Sequence, residues 1–334
     1  MAQHGREQAV RALICRAFGD VTDLEVGELP EPIPGPGQVL IDVHACGVNF
    51  PDVLIVQGKY QFTPPLPFSP GTEVAGTIAA VGPDVSGLDI GDPVVAVVVW
   101  GGMAERMVAD AGSVIRMPNT IDMVTASSFL MAHGTAHHAL FDRGELLAGE
   151  TLLVLGAGGG VGLAAVECGA RHGARVIAAA SSDEKLQACL NQGAHDVIDL
   201  RTQDLRQVVK KLTGGQGVNV CLDPVGGELS ESAVRSMAWR GRYLVVGFAA
   251  GSIPQIPLNL PLLKGCSIIG VFWGSYRERE PRASEESVNE LLTSLESGHL
   301  KPLISKVHRL DEAVDAIQAL QNRRTVGKVV VAIS

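Results

Sequence analysis

Five glycines crowd into the window 156–162, at Gly156, Gly158, Gly159, Gly160 and Gly162. Backbone stripped of side chains is what a diphosphate needs. N–H groups at a helix N-terminus can close on phosphate oxygens only where no Cβ stands in the way. The spacing is not a strict G-x-G-x-x-G: Gly156, Gly158 and Gly162 give G-x-G-x-x-x-G, and Ala157-x-x-Gly160-Val161-Gly162 begins with alanine. Glycines alone are weak evidence, because a tight strand-to-helix packing turn uses them too. The flanks decide. Residues 151–155 form a short apolar run with the pattern of a buried strand. Val161, Ala164, Ala165 and Cys168 then recur at helical spacing and stop at Gly173, a natural helix end. A second apolar run fills 175–180. Strand, glycine turn, helix and strand within about 30 residues make a βαβ unit of dinucleotide-binding size.

The end of that second strand bears on which dinucleotide. An NAD site usually carries an acid there for the ribose hydroxyls, whereas this chain reads Ala178-Ala179-Ala180-Ser181-Ser182. Without the acid, a 2′-phosphate meets no repulsion. Ser181 and Ser182 can offer hydroxyls and Lys185 a positive charge. The plainer reading is that Ser182 caps the next helix, whose first turn holds Asp183 and Glu184, with Lys185 solvated. Both hold at once, and the expectation is NADPH.

At 334 residues the chain is long for one core, so two domains are expected. The residues are 46% hydrophobic and only 19% charged, the balance of a well-buried globular protein. A formal net charge of −9 argues against a nucleic acid or an anionic membrane surface as partner. The longest uncharged stretch, 243–263, carries Pro254, Pro257 and Pro261 and cannot be a spanning helix. Cys15, Cys46, Cys168, Cys189, Cys221 and Cys266 form no C-x-x-C pair, which suits ordinary thiols in a reducing compartment, here expected to be the cytoplasm. The first ten residues lack the apolar core of a signal peptide.

Residues 11–116 read as short strands punctuated by Gly and Pro, with Val39, Ile41 and Val43 alternating with Leu40, Asp42 and His44. No strong amphipathic helix is expected before about residue 122. Beyond it, strands are expected at 175–180, 195–199, 218–223, 242–246 and 267–272, with helices between them that end on glycine. Helices are expected over 284–297 and 310–321, the second leading into a strand at 328–333.

Six ordered motifs span both regions: Ala45-Cys46-Gly47-Val48-Asn49-Phe50-x-Asp52, Pro70-Gly71-Thr72-Glu73-x-x-Gly76, Gly134-Thr135-Ala136, Ala157-x-x-Gly160-Val161-Gly162, Asp223-x-Val225-Gly226 and Gly247-Phe248. On these the chain resembles the medium-chain dehydrogenase/reductase superfamily over nearly its whole length. Within it the resemblance is to the zinc-free quinone oxidoreductases, the zeta-crystallin and quinone oxidoreductase-like group. That implies an α/β fold with a GroES-like, β-barrel-type catalytic domain (1–124 and 299–334) and a Rossmann domain with a doubly wound parallel sheet (125–298).

In zinc-dependent relatives the first and second metal ligands fall at Asn49 and Thr72, neither a credible zinc ligand. His133, His137 and His138 are the other candidates; 133 and 137 share a helical face, and without acidic or Cys ligands to complete a site they are expected to be helix-surface or core histidines. No catalytic metal is expected. Hydride transfer to a conjugated carbonyl builds charge on oxygen, and without zinc aimed donors must stabilise it. The resemblance puts Asn49 and Tyr60 in that role. It also implies cofactor contacts at Thr135, Ala157, Gly158, Gly159, Gly160, Val161, Gly162, Ser181, Ser182, Lys185, Val225, Gly247 and Phe248, with Phe272, Trp273 and Gly274 closing the pocket. Asp223 is as well suited to holding its loop as to touching ligand. Two positions depart from relatives: Leu54 and Leu200 stand where some carry Tyr.

The implied activity is an NADPH-dependent, zinc-independent reductase of a small-molecule acceptor, a quinone. Two alternatives stay open: reduction of the C=C bond of an enal, enone or enoyl thioester, and NADPH binding with little turnover. Resemblance further implies a homodimer paired through the last Rossmann strand, expected at 267–272.

Overall fold

The glycine-ended helices and short apolar runs assemble as a six-stranded sheet in the computed structural model, which describes residues 9–334. Across the sheet the strands run Asp196–Asp199, Arg175–Ala180, Thr151–Val154, Val218–Asp223, Met237–Val245 and Ser267–Gly270, every pairing parallel. The chain begins in the middle at Thr151–Val154, winds to one edge and then to the other. The direction of winding reverses beside the glycine loop, where such sheets bind ligands. Leu152, Leu153 and Val154 are fully buried, as a parallel strand covered on both faces must be. Gly173 and Gly193 take φ of +87° and +102° at the ends of their helices, a conformation that costs glycine little. This doubly wound sheet lies in a compact unit of residues 132–303.

The second compact unit combines the described residues up to Met131 with Ile304–Ser334. Its seven-stranded sheet runs Ile304–Arg309, Lys328–Ala332, Gln38–Val48, Glu73–Val81, Pro93–Val97 and Val114–Arg116, with Arg106–Asp110 also paired to Gln38–Val48. Gln38–Val48 is the organising strand. Its first half alternates between sheet faces, whereas Ala45, Cys46, Gly47 and Val48 are all buried, so alternation is legible only up to about residue 43. That buried half takes Lys328–Ala332 antiparallel on one side, with Val329 opposite Val48, and Glu73–Val81 on the other, with Glu73 opposite Gly47. This is the GroES-like domain.

Three elements depart from the sequence expectation. A helix at Phe50–Val56 precedes residue 122; at seven residues it is too short to show an apolar stripe, and its signals are the N-cap Asn49 and a proline in the first turn. The edge strand Ser267–Gly270 stops early, because Phe272 already caps a helix, Trp273–Arg279. The strand expected from residue 242 begins at Met237, ahead of Arg240 at φ +60° and a register shift against Val218–Asp223.

Candidate active site

In the Rossmann unit the glycines divide the labour. Gly159 is the N-cap of the helix Gly160–Arg171, so Gly160 and Val161 open a first turn whose N–H groups have no partner within the helix. Gly156 turns the chain at φ +56°, and a Cβ there would stand 2.6 Å from Val225 Cγ2. A Cβ on Gly162 would run into the Gly156 carbonyl oxygen and the backbone of Ala157, so this glycine serves close packing. Ala157 is pinned by its N–H to the Ala179 carbonyl at 3.0 Å. Gly158 is different: a Cβ there would meet Lys185 Cβ and Cγ, each at 2.5 Å. The methylene stem of Lys185 therefore lies across the loop, beside bare backbone and a helix N-terminus of the kind that favours an anionic group.

Ser182 caps the helix Asp183–Asn191, its Oγ accepting from the Lys185 N–H at 3.3 Å, while Ser181 is exposed. The acid nearest this corner is engaged. Arg201 bonds Asp183 at 2.5 Å and Asp199 at 2.8 Å, and its guanidinium holds the Asp199 carboxyl down at about 2. A negative charge that would oppose a 2′-phosphate is thereby offset. Arg201 escaped the sequence reading; its signal is the Asp199-x-Arg201 spacing beyond the strand Asp196–Asp199.

The remaining cofactor candidates of this unit fall into small packed pairs. Thr135 is half-buried and starts the helix Thr135–His137 directly after a π-helical stretch, Leu130–Gly134. A Cβ on Gly134 would meet the Trp273 ring at 2.5 Å, which explains the glycine and places Trp273 in the core, 5% exposed. Trp273 thus packs against Gly134 at the start of its helix. Phe272, 47% exposed, lies 3.3 Å from where a Gly274 Cβ would stand. A Cβ on Gly226 would meet Phe248 Cδ1 at 2.8 Å, so Val225, Gly226 and Phe248 share one corner, with Gly247 half-buried beside them. Asp223 holds that corner. Its carboxylate accepts from the N–H groups of Val225 and Gly226 at 2.8 and 2.9 Å, from Ser230 Oγ at 2.8 Å and from the Tyr243 hydroxyl.

The histidines are better supplied with acids than the sequence suggested. His133 Nε2 lies 3.0 Å from Glu167, His137 lies 3.7 Å from Glu290, and His138 lies 3.1 Å from Asp142 while stacking on Tyr276 at 4.1 Å. Each has its own acid, and no group of three or more His, Cys, Asp or Glu side chains able to hold a metal ion gathers among the described residues.

In the GroES-like unit, Asn49 ends the organising strand and begins the helix Phe50–Val56. Its Nδ2 donates to the Gly47 carbonyl at 3.2 Å and to Glu73 Oε2 at 3.1 Å; its Oδ1 accepts from Lys328 Nζ at 2.5 Å. Lys328 Nζ also reaches Glu73 Oε2 at 3.3 Å and the Val48 carbonyl at 3.2 Å, and Glu73 Oε1 accepts from the Met131 N–H at 2.9 Å. All three side chains are buried. Asp52 accepts from the Asn49 N–H at 2.7 Å, and burial pushes its carboxyl up to about 6. The other oxygen of Asp52 and the Thr72 hydroxyl are buried as well, and the Thr72 hydroxyl and the Asn49 N–H offset only part of the burial. Tyr60 packs against the same core, and burial, followed by the Asp52 charge, raises its hydroxyl. It therefore stays protonated at neutral pH, a donor rather than a ready acid.

The chain matches the family model for the alcohol dehydrogenase GroES-like domain over residues 35–119 and that for zinc-binding dehydrogenases over 160–289. It is 38% identical to quinone oxidoreductase-like protein 2 of Rattus norvegicus, an alignment covering 99% of this chain and 95% of the relative. The chain belongs to the quinone oxidoreductase family of medium-chain dehydrogenases/reductases. Human quinone oxidoreductase is 33% identical over 93% of each chain. Among solved structures of this oxidoreductase family, Escherichia coli quinone oxidoreductase complexed with NADPH aligns over 97% of this chain and all of its own, at a TM-score of 0.87 and 27% identity. A mycobacterial protein complexed with NADPH aligns over 97% and 100%, at 0.90 and 31%.

Within this oxidoreductase family fold, the partners of Asn49 were the part that sequence reasoning missed. Glu73 lies inside the motif Pro70-Gly71-Thr72-Glu73, but nothing in the sequence marks it as a hydrogen-bond partner. Lys328 carried a visible signal, a lone lysine opening the apolar run Val329-Val330-Val331 after Gly327. A charge there must be paired if the strand is buried.

Proposed function

We propose that this chain is an NADPH-dependent, zinc-independent reductase that delivers hydride to a quinone. The observation that carries the cofactor choice is the stem of Lys185 lying across Gly158, at a strand end with no acid of its own and with Asp183 engaged by Arg201. Gly159, Gly160 and Val161 would bind the diphosphate through backbone N–H groups; Lys185, Ser181 and Ser182 would face the 2′-phosphate. A bound nicotinamide supplies the hydride. Thr135, Val225, Gly247, Phe248, Phe272 and Gly274 are proposed to line its site, and Trp273 to support it from the core.

Charge forming on the acceptor oxygen requires donors, and Asn49 and Tyr60 are proposed for that role. Asn49 can serve by exchanging its longer bond, to the Gly47 carbonyl, for one to substrate. The donor set supports a metal-free reading: the ammonium of Lys328 already sits 2.5 Å from Asn49 Oδ1, and a divalent cation placed there would meet a like charge. The quinone assignment is supported by the names of the relatives. The deciding test is NADPH oxidation against matched quinones, enones and enoyl-CoA esters, with NADH as control. Preference for enones or thioesters replaces quinone as the substrate, and binding without oxidation of NADPH across the panel overturns the enzymatic reading.

A homodimer is proposed through the edge strand Ser267–Gly270. That strand is mostly exposed, and Trp239, Ile268, Leu258, Leu262 and Leu263 around it are 74%, 41%, 80%, 77% and 71% exposed. An unpaired edge with such side chains calls for a partner strand. The six cysteines are free thiols, five of them buried, in keeping with a reducing compartment such as the cytoplasm. No helix of the described residues is long and apolar enough to cross a membrane.

A further inference from the structure

A buried lysine demands a reason. Lys328 is 5% exposed and Glu73 fully enclosed, and removing one partner of such a pair leaves an uncompensated charge in the core. A salt bridge alone needs only those two side chains, yet the shortest contact of the ammonium is to neither carboxylate oxygen. It is the 2.5 Å bond to the carbonyl oxygen of Asn49, against 3.3 Å to Glu73 Oε2. With the Val48 carbonyl at 3.2 Å, all three Nζ hydrogens have acceptors.

This fixes the carboxamide. An ammonium can only donate, so Oδ1 must face Lys328 and Nδ2 must face Glu73 and the Gly47 carbonyl. Glu73 is itself held at both ends, Oε1 by the Met131 N–H at 2.9 Å and Oε2 by Asn49 and Lys328. The amide cannot flip without placing its NH2 against a cation. A positive charge on the carbonyl oxygen also draws electron density from the amide nitrogen, and charge-assisted, chained hydrogen bonds are stronger than isolated ones.

We propose that Lys328 is a positioning residue acting through Asn49: its ammonium fixes which way the carboxamide faces and sharpens its N–H groups as donors to the substrate oxygen. The internal cation stands on the Oδ1 side of the amide, opposite its Nδ2 donor, and bonds Asn49, Glu73 and the Val48 carbonyl. This rests on Asn49 being the donor proposed above.

The test is a cycle of Asn49→Ala, Lys328→Met and the double variant, read as kcat and KM in NADPH-dependent quinone reduction, with the 1H–15N resonances of the Asn49 carboxamide recorded for the wild type and Lys328→Met. The expected result is a kcat loss of about tenfold to a hundredfold in Lys328→Met, with KM for NADPH changed less than about threefold. The same substitution in the Asn49→Ala background should cost less than about threefold, and the carboxamide resonances should move. If Lys328→Met does not fold, Glu73→Gln/Lys328→Met removes both charges together and carries the same comparison. Losses of equal factor with and without Asn49, or unmoved carboxamide resonances, overturn the proposal alone. Undiminished turnover in Asn49→Ala overturns it by removing the reading beneath it, and shifted resonances would then locate the failure there.

Discussion

Lys185 offers two roles that one pair of substitutions separates. Its stem fills the space over Gly158, and its ammonium is the proposed partner of a 2′-phosphate. Lys185→Met keeps most of the stem and removes the charge, whereas Lys185→Ala removes both. A hydrogen bond to a charged group contributes about 1.5–3 kcal/mol, and at about 1.4 kcal/mol per tenfold this is roughly a 10- to 150-fold change in kcat/KM. Lys185 is half-buried, so solvent screening favours the lower end, about tenfold to thirtyfold. NADH has no 2′-phosphate and should lose less than about twofold in Lys185→Met. Lys185→Ala should add a loss common to both cofactors, because the loop over Gly158 is no longer covered. Steady-state kinetics with each cofactor at fixed quinone, repeated at raised ionic strength, reads all of this. The charge-dependent part should shrink with salt. Equal losses for NADH and NADPH in Lys185→Met would refute the phosphate role and leave Lys185 as packing.

Asp52 gives a pH prediction with a definite sign. Burial raises its carboxyl from 3.8 to about 6, so between those values the folded state holds a proton that the unfolded chain has released, and stability falls as pH rises through that window. The full effect is about 3 kcal/mol. Asp52→Asn should flatten the fall in melting temperature between about pH 4 and pH 6, and an unchanged profile would count against the burial of this carboxyl as its source. Asp223→Ala deprives four donors of their acceptor and should cost about 3–5 kcal/mol, a drop of roughly 10 °C by calorimetry. Ile268→Asp puts a charge on the exposed edge strand and should yield monomers in sedimentation; an unchanged dimer would place the interface elsewhere.

How much could be read from the sequence follows from how far apart the interacting residues lie in the chain. The dinucleotide loop was legible because its parts are consecutive: apolar strand, glycines, helical spacing and a terminal glycine occur in that order within residues 151–173. Even there the reading was incomplete. Ser182 could be seen as a cap, but the stem of Lys185 over Gly158 and the hold of Arg201 on Asp183 depend on how the loop and neighbouring strands are placed side by side. The polar centre at Asn49 was legible as a position and not as a network. Glu73 is 24 residues away and Lys328 is 279, and what joins them is strand register: Gly47 opposite Glu73 and Val48 opposite Val329. A slip of one residue in either pairing would turn these side chains to the other face. Local periodicity carries no information about such a register, because the strand is buried throughout at that end. The residues that supply the site with charge are therefore those whose sequence context reads as ordinary core, and the anomaly that betrays them is chemical: a lysine and a glutamate where the packing has no room for an unpaired charge.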